Sequence, residues 1–259
     1  MQHYFLNRSQ VEIGEHVTLN QEDSHHFLRV LRAQLGDQVT LATTDGLSYL
    51  AELTDSQADE ARLIILRIEK ENVHSVELPV NVTIACGLSK NDKIEMIVQK
   101  ATECGMSEFM PLALKRDVVK WVGKKADAKI DRLGKIAKGA AEQSHRLVVP
   151  KITSLHNLEQ LLEASSAYDV KLIAYEETAK EGEHSQLAKV LHSLSTKENK
   201  PSILIVFGSE GGLEKSEVLR LEEAGFVACS LGPRILRAET APIYFLSALS
   251  FALELAKVY

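Results

Sequence analysis

The sequence has few of the residues and runs that identify metal, disulfide or membrane proteins. Its three cysteines are an odd number without metal-ligand spacing, and each lies among apolar residues, which favours reduced core thiols. The longest aliphatic runs, such as 202–207, are far too short to cross a bilayer. The first residues lack the basic and apolar regions of an export signal. We therefore expect a cytoplasmic protein with no metal site and no membrane partner.

Common nucleotide-binding and nucleophile motifs are also missing. The glycine-rich segment 208–212 lacks the Gly-Lys-Ser/Thr ending of a P-loop and the spacing of a dinucleotide fingerprint. We find no Ser/His/Asp nucleophile pattern. His25 and His26 have no carboxylate or cysteine partner at ligand spacing, so we interpret them as surface or interface histidines.

Positive charge is scarce overall and concentrated in one stretch. The formal net charge is -6, yet residues 85–151 carry 14 Lys and Arg against 8 Asp and Glu, a local excess of +6. Residues 1–72, by contrast, carry 6 Lys and Arg against 12 Asp and Glu. Phosphate binding depends on a local positive surface and not on the net charge of the whole chain. Residues 85–151 are therefore a candidate RNA-binding region. On charge alone, a solvated lysine-rich helix face explains it equally well.

The hydrophobic pattern divides the chain into two domains, 1–72 and 73–259. In the first, short apolar alternations separated by turn signals predict a small β-rich domain. A helical insert over 24–32 interrupts it and places Arg29 and Arg32 three residues apart, on one side. From 79 onward strands alternate with helices, which predicts a mostly parallel α/β sheet covered on both faces.

Individual elements of the second domain can be placed. Ser89 suits the N-cap of a helix that is closed by Gly105. Apolar runs predict buried strands at 80–86, 170–174, 203–207 and 226–230. Periodicity predicts further helices near 124–145, 156–164, 184–194, 214–224 and after 239.

Ligands of open parallel α/β sheets bind beyond the carboxyl ends of the strands. Three such ends are followed by the segments 175–177, 208–212 and 231–241. The second has three glycines in five positions, which lets its backbone approach a ligand closely. Glu210 within it would repel phosphate and suits a neutral or cationic ligand. A tight turn without a ligand is the alternative.

The third segment contains two arginines. Arg234 and Arg237 lie beside the glycine-rich segment in the predicted fold and are candidates for a phosphate or substrate clamp. Glu239 and Thr240 stand where the last helix begins, and for Glu239 capping of that helix is the stronger interpretation.

Five segments in this order and spacing resemble the RsmE-type ribosomal RNA methyltransferases of the SPOUT superfamily. They span nearly the whole chain and comprise 25–32, 93–105, 141–146 with Pro150, 207–212 with Glu217, and 231–241. Members of that family methylate N3 of a uridine in small-subunit (16S) ribosomal RNA. The resemblance implies a SPOUT-type trefoil-knotted α/β domain, an exception to unknotted chains. A small PUA-like β-barrel that helps to hold RNA would precede it.

The resemblance also implies S-adenosylmethionine as cofactor, bound by knot loops near the interface of a homodimer. Its RNA partner would be 16S ribosomal RNA within the small ribosomal subunit. By position, the cofactor loops follow Ala174, Phe207 and Ser230. The predicted cofactor-binding residues are Leu172, Ala174, Gly208, Glu210, Gly211, Gly212, Ser230, Leu231, Gly232, Ile235 and Leu236. The predicted catalytic residues are Arg234 and Arg237, and the predicted RNA-binding residues are Arg8, Arg29, Arg32, Lys120, Lys124, Lys125 and Arg146.

The sequence departs from the family pattern at a few positions. Ser209 stands where proline is common, and Ala238 stands where threonine is common. An early arginine run is missing, although Arg8 remains. Losing a proline loosens the loop without removing a hydrogen-bond donor, so we expect an effect on affinity more than on activity.

Uridine N3 is an imide N–H that must lose its proton, and it is out of reach while the base is paired. A cation beside the uracil oxygens would stabilise the developing anion, a role suited to Arg234 or Arg237. The pattern names no general base, although Glu210 lies near the predicted cofactor site. Two other classes stay open. A noncatalytic RNA-binding assembly factor needs no cofactor pocket, and a metabolic enzyme that binds a small nucleotide needs no basic stretch.

Overall fold

The structure of the protein, a computed structural model, describes residues 1–70, 76–177, 185–195 and 199–256. It forms two compact units. The first comprises residues 1–77 and 141–148, and the second comprises 78–140 and 149–259. The boundary predicted after residue 72 falls within 71–75, which lie outside the described residues.

The first unit is built on a five-stranded sheet. Its strands are β1 (Gln2–Phe5), β2 (His16–Thr18), β3 (Gln38–Ala42), β4 (Ser48–Asp55) and β5 (Arg62–Lys70). They lie in the order β1-β3-β4-β5-β2, with β1 parallel to β3 and the other pairs antiparallel. Their buried apolar residues form one core, which includes Tyr4, Leu41, Leu53 and Leu63. The prediction of a small β-rich unit is confirmed.

The helical insert of the first unit begins and ends earlier than predicted. Helix α1 (Gln21–His25) is capped by the Asn20 side chain, which accepts a hydrogen bond from the Asp23 N–H. It continues as one π-helical turn, His26–Val30. Arg32 lies beyond that turn with a φ of 57°. The prediction that Arg29 and Arg32 share a helix face is therefore wrong, because the helix ends before Arg32.

The second unit contains a seven-stranded parallel sheet, as the alternation of strands and helices predicts. Its strands are β6 (Asn81–Gly87), β7 (Glu108–Ala113), β8 (Lys151–Ile152), β9 (His156–Asn157), β10 (Val170–Ala174), β11 (Ser202–Phe207) and β12 (Val227–Cys229). The order is β12-β10-β11-β6-β7-β8, and β9 also pairs with β7. Every pairing is parallel.

Helices of the second unit are α2 (Lys93–Glu103), α3 (Lys124–Gln143, of which 141–143 belong to the first unit), α4 (Leu158–Ala164), α5 (Gln186–Ser195), α6 (Lys215–Glu223) and α7 (Ala241–Ser250). A π-helical turn, Phe251–Leu255, extends α7. The interpretation of Ser89 as an N-cap is wrong. Asn91 has a φ of 57°, a left-handed conformation that no helix continues through, so α2 begins only after Asp92.

Both faces of this sheet are covered. In β11, Ile203, Ile205 and Phe207 belong to one hydrophobic core, while Leu204 and Val206 belong to another. Because successive strand residues point to opposite faces, this division shows an apolar layer on each side. Within the described residues, no helix is long and apolar enough to cross a membrane.

Candidate functional site: a cleft at the carboxyl ends of three strands

A large cleft of the second unit lies where β10, β11 and β12 end. In the sheet register, Ala174 stands beside both Phe207 and Cys229, so the three following segments begin at one edge. The cleft has a volume of about 1130 Å³. We call it the cofactor cleft, after the cofactor that the resemblance implies. Ten of the eleven predicted cofactor residues line it: Ala174, Gly208, Glu210, Gly211, Gly212, Ser230, Leu231, Gly232, Ile235 and Leu236.

Leu172 is the exception. It is fully buried inside β10, two residues before the strand ends, and belongs to the core rather than to the cleft lining. Its assignment to the cofactor is corrected accordingly. Residues in the interior of a central strand face the covering helices, and only those at the carboxyl end reach the ligand edge.

The segment 208–212 forms a tight turn that only glycine allows at two positions. The Gly212 N–H donates to the Ser209 carbonyl at 2.9 Å, and Gly212 has a φ of 67°. A Cβ at Gly208 would lie 2.7 Å from the carbonyl carbon of Gly212. The backbone therefore folds back on itself where it lines the cleft.

At Gly211 a side chain would collide with a neighbouring segment of the chain. A Cβ there would lie 2.7 Å from the carbonyl oxygen of Arg116. An Arg116 guanidinium N–H also donates to the Gly211 carbonyl at 3.4 Å, and Arg116 lines the cleft. The sequence interpretation missed Arg116 because it did not recognise β7. The apolar run 109–114 could have indicated this strand. Lys115 and Arg116 follow directly after it, at the carboxyl end of β7.

A lysine links two of the cofactor loops. The Lys93 ammonium lies 3.3 Å from a carboxylate oxygen of Glu210 and 3.3 Å from one of Glu239. The Lys90 backbone N–H also donates to Glu210, at 3.1 Å. Glu239 is thus a partner of Lys93. Its interpretation as a helix cap is wrong, because Thr240 holds the N-cap position of α7.

These contacts keep Glu210 ionised. Burial opposes its charge, but hydrogen bonds from the backbone N–H groups of Glu210 and Lys90 and the nearby Lys93 ammonium outweigh it, so the Glu210 pKa is lowered. The hydrogen bond to Glu210 in turn raises the pKa of Lys93. The loop therefore presents a carboxylate at neutral pH, suited to a neutral or cationic ligand.

The segment after β7 is held in place by two carboxylates. Asp117 accepts hydrogen bonds from the N–H groups of Leu114 at 2.8 Å and Leu88 at 3.2 Å. Burial raises the pKa of Asp117, although these donors and the Ser209 hydroxyl act against the rise. Glu217 is buried in α6 and accepts from the Lys115 N–H at 2.8 Å. Ser209, at the family's proline position, therefore lies against Asp117.

The last cofactor loop turns at Ser230 and Gly232. The Gly232 N–H donates to the Ser230 hydroxyl at 3.0 Å, and Gly232 has a φ of 102°. Beyond the turn, Arg234 and Arg237 are exposed and line the cleft. The structure thus brings both predicted catalytic arginines into the same cleft as the predicted cofactor residues.

The predicted RNA-binding residues fall into separate groups. In the second unit, Lys120, Lys124 and Lys125 are exposed at and before the start of α3. In the first unit, Arg8 and Arg29 are exposed and pair with Glu15 and Asp59, and Arg32 is also exposed.

Arg146 differs from the expected position. Its side chain is buried and pairs with Glu77, whose carboxylate also accepts from the Leu147 N–H. Its charge is used inside the first unit, because a buried guanidinium requires a partner. We do not retain it as an RNA contact. The three cysteines form no disulfide, and among the described residues no group of His, Cys, Asp and Glu could hold a metal.

Comparison with known proteins defines the class. The RNA methyltransferase domain model matches residues 76–250, and the RNA methyltransferase PUA domain model matches residues 19–66. The first match covers most of the second unit and all three cofactor loops. The chain is therefore an RNA methyltransferase with a PUA domain.

Individual relatives narrow this class. The ribosomal RNA small subunit methyltransferase E of Bacillus subtilis is 47% identical over 206 residues, which cover 80% of this chain and 78% of that protein. A methyltransferase E from Neisseria gonorrhoeae, solved with S-adenosylmethionine, is 28% identical with a TM-score of 0.82 over 96% of this chain and 97% of that one. A Legionella pneumophila methyltransferase solved with the same cofactor is 27% identical with a TM-score of 0.82 over the same shares. The chain belongs to the ribosomal RNA small subunit methyltransferase E family.

Proposed function

We propose that this protein transfers the methyl group of S-adenosylmethionine to N3 of one uridine in 16S ribosomal RNA. The observation that carries the proposal is the cleft at the ends of β10, β11 and β12. There a glycine turn, an ionised carboxylate and two exposed arginines meet at one edge of the sheet. The names of the relatives support the ribosomal RNA as substrate.

The residues present fit the cofactor. Gly208 and Gly212 form a backbone cradle that a Cβ would fill or strain. Leu231, Ile235 and Leu236 supply an apolar wall for an adenine ring. The Glu210 carboxylate suits a ligand that carries positive charge. When bound, S-adenosylmethionine supplies an electrophilic methyl group on a sulfonium.

The chain's own part in the reaction is positioning and charge stabilisation. Uridine N3 must be held in line with the methyl group, which is chiefly a proximity effect. The base must be unpaired to reach the cleft. Arg234 and Arg237, both exposed on the cleft lining, stabilise the negative charge that grows on the uracil oxygens as N3 loses its proton.

RNA contacts are carried by other residues. Lys120, Lys124 and Lys125 form the basic surface of the second unit. Arg8, Arg29 and Arg32 supply contacts from the first unit, which we propose to be a PUA-like barrel ending near residue 72. Phosphate contacts of this kind give affinity and position but no base specificity.

A homodimer is supported by the outer face of the last helix. Phe245, Leu246 and Leu249 of α7 are buried in the core. On the other face Tyr244 is 38% exposed, and Phe251 and Leu255 are each 63% exposed. These three are spaced by seven and four residues and so share one side. We propose that a second copy covers them, that the chain threads a trefoil knot, and that the enzyme acts in the cytoplasm on the small ribosomal subunit.

Mapping methylation on ribosomal RNA from cells with and without the protein tests the proposal. We expect one 16S uridine to lose its N3 methyl group and to regain it with purified protein and S-adenosylmethionine. RNA binding without cofactor binding would instead indicate an assembly factor. Cofactor binding without salt-dependent RNA binding would indicate a small-molecule enzyme.

A further inference from the structure

One ammonium group connects two of the loops that form the cofactor cleft. Lys93 is the first residue of α2, and its side chain lines the cleft. The ammonium lies 3.3 Å from Oε1 of Glu210 and 3.3 Å from Oε2 of Glu239. Glu210 belongs to the glycine turn after β11, and Glu239 belongs to the loop after β12. Three segments that are distant in sequence therefore meet at a single positive charge.

The position of Glu239 depends on this lysine. The Glu239 side chain is only 16% exposed, and its Oε2 is buried without a hydrogen bond of normal geometry. Among the described residues, Lys93 is its only ion-pair partner. A carboxylate that is largely removed from water requires an opposite charge beside it, so Glu239 is held where the Lys93 ammonium is.

Glu239 lies inside a turn that begins at Arg237. The Arg237 carbonyl accepts hydrogen bonds from the N–H groups of Thr240 at 2.9 Å and Ala241 at 3.0 Å. These bonds close the backbone around Glu239, so a displacement of Glu239 displaces Arg237 with it. The ion pair of Lys93 with Glu239 therefore fixes the place of the Arg237 side chain, which lines the same cleft.

Without the ammonium, the same arrangement would be repulsive. The two carboxylate oxygens that Lys93 contacts cannot lie further apart than twice 3.3 Å. Two like charges at that separation repel each other strongly where water is partly excluded. Loss of the lysine charge should therefore drive the glycine turn and the Arg237 turn apart.

We propose that Lys93 is a positioning residue for methyl transfer, which holds the turn that carries Arg237 against the glycine turn that receives the cofactor. It touches no reacting atom and acts through Arg237. Its ammonium thereby sets the distance between the methyl donor and the cation that stabilises the uracil anion. The inference rests on the proposed function and deepens it.

A matched pair of variants tests this. Lys100 lies on the same helix and pairs with Glu103 at 2.8 Å, away from the cofactor cleft. Lys93→Met and Lys100→Met therefore each remove one charge and its ion pairs from α2. At saturating cofactor and RNA, we expect Lys93→Met to lower the single-turnover methylation rate about tenfold, as for residues of one ion-pair network. Lys93→Arg keeps the charge and should recover most of the rate, and Lys100→Met should keep the wild-type rate. An unchanged rate in Lys93→Met, or an equal loss in both methionine variants, would overturn the proposal.

A double-variant cycle separates positioning from a general loss of stability. In the Arg237→Ala background, Lys93→Met should lower the rate less than about twofold, because the side chain that it positions is already gone. The same tenfold loss in that background would show that Lys93 acts independently of Arg237 and would overturn the proposal. If circular dichroism shows that Lys93→Met does not fold, Glu239→Gln removes the same link from the other side and replaces it in the cycle.

The wild-type protein, measured in parallel, reports on the proposed function. If it methylates 16S ribosomal RNA while Lys93→Met is as fast, only the assignment of Lys93 fails. A wild-type protein that binds S-adenosylmethionine in calorimetry but transfers no methyl group to this RNA would refute the proposed function, and the assignment of Lys93 with it.

Discussion

Replacing Glu217 with alanine tests how the cofactor loops are held. Glu217 is buried near the start of α6, and its two carboxylate oxygens accept the N–H groups of Lys115 and Glu214, each at 2.8 Å. It thereby fixes both the beginning of the helix and the segment that carries Arg116. Arg116 in turn contacts Gly211 of the glycine turn. The variant should therefore affect both stability and cofactor binding.

The magnitude follows from the two hydrogen bonds. A hydrogen bond to a charged group contributes about 1.5–3 kcal/mol, and the change removes the acceptor of two part-buried N–H groups. The carboxylate also no longer has to be desolvated, which offsets part of the loss. We expect a net loss of about 3 kcal/mol, or roughly 6–12 °C in melting temperature for a chain of this size.

The assay is thermal unfolding by circular dichroism, combined with calorimetric titration of S-adenosylmethionine. Glu217→Gln keeps an acceptor oxygen and should lose about half as much stability. Glu223→Ala, an exposed change on the same helix, is the control. A melting shift below about 2 °C would refute the hydrogen-bond argument. A large shift with unchanged cofactor affinity would refute the link from Lys115 through Arg116 to the glycine turn.

The remaining predictions concern the cleft, the RNA surface and the dimer. Gly211→Val should abolish S-adenosylmethionine binding in calorimetry with the fold intact by circular dichroism, because its side chain would displace the Arg116 backbone. Arg237→Ala should lower single-turnover methylation more than RNA affinity, because the guanidinium acts on the developing anion. Neutralising Lys124 and Lys125 should weaken the binding of RNA whatever its sequence. The salt dependence of the affinity should fall by the equivalent of about one phosphate contact per lysine. Phe251→Glu should shift the mass in light scattering from twice 28.7 kDa to 28.7 kDa.

Each of these four predictions has a control variant or an outcome that would contradict it. Gly139→Ala places a Cβ in open space and should leave cofactor binding unchanged. For Arg237→Ala, a lowered melting temperature with normal turnover per folded molecule would mean that the arginine only packs against the last helix. S-adenosylmethionine affinity should be unaffected in the lysine variants. A wild-type mass of one chain at micromolar concentration would count against the dimer.

Local sequence patterns predicted most of the strands and helices and the edge of the sheet where the structure has its cofactor cleft. Local patterns are enough for this, because apolar runs of 5–6 residues such as β10 and β11 form buried strands. Parallel strands bring their carboxyl ends to one edge, which places 208–212 and 231–241 together without any knowledge of side-chain contacts. The predicted strands at 80–86, 170–174 and 203–207 are all confirmed.

The partners of the charged side chains, by contrast, became visible only in the folded chain. Arg146 lies in a basic stretch of sequence, yet it is buried against Glu77, 69 residues away. Glu239 precedes a helix, yet it pairs with Lys93 on another one. Such partners are distant in sequence, so the local hydrophobic periodicity does not predict them. Whether a charge faces solvent, a ligand or an ion pair depends on what the folded chain places beside it, because burial without a partner is costly.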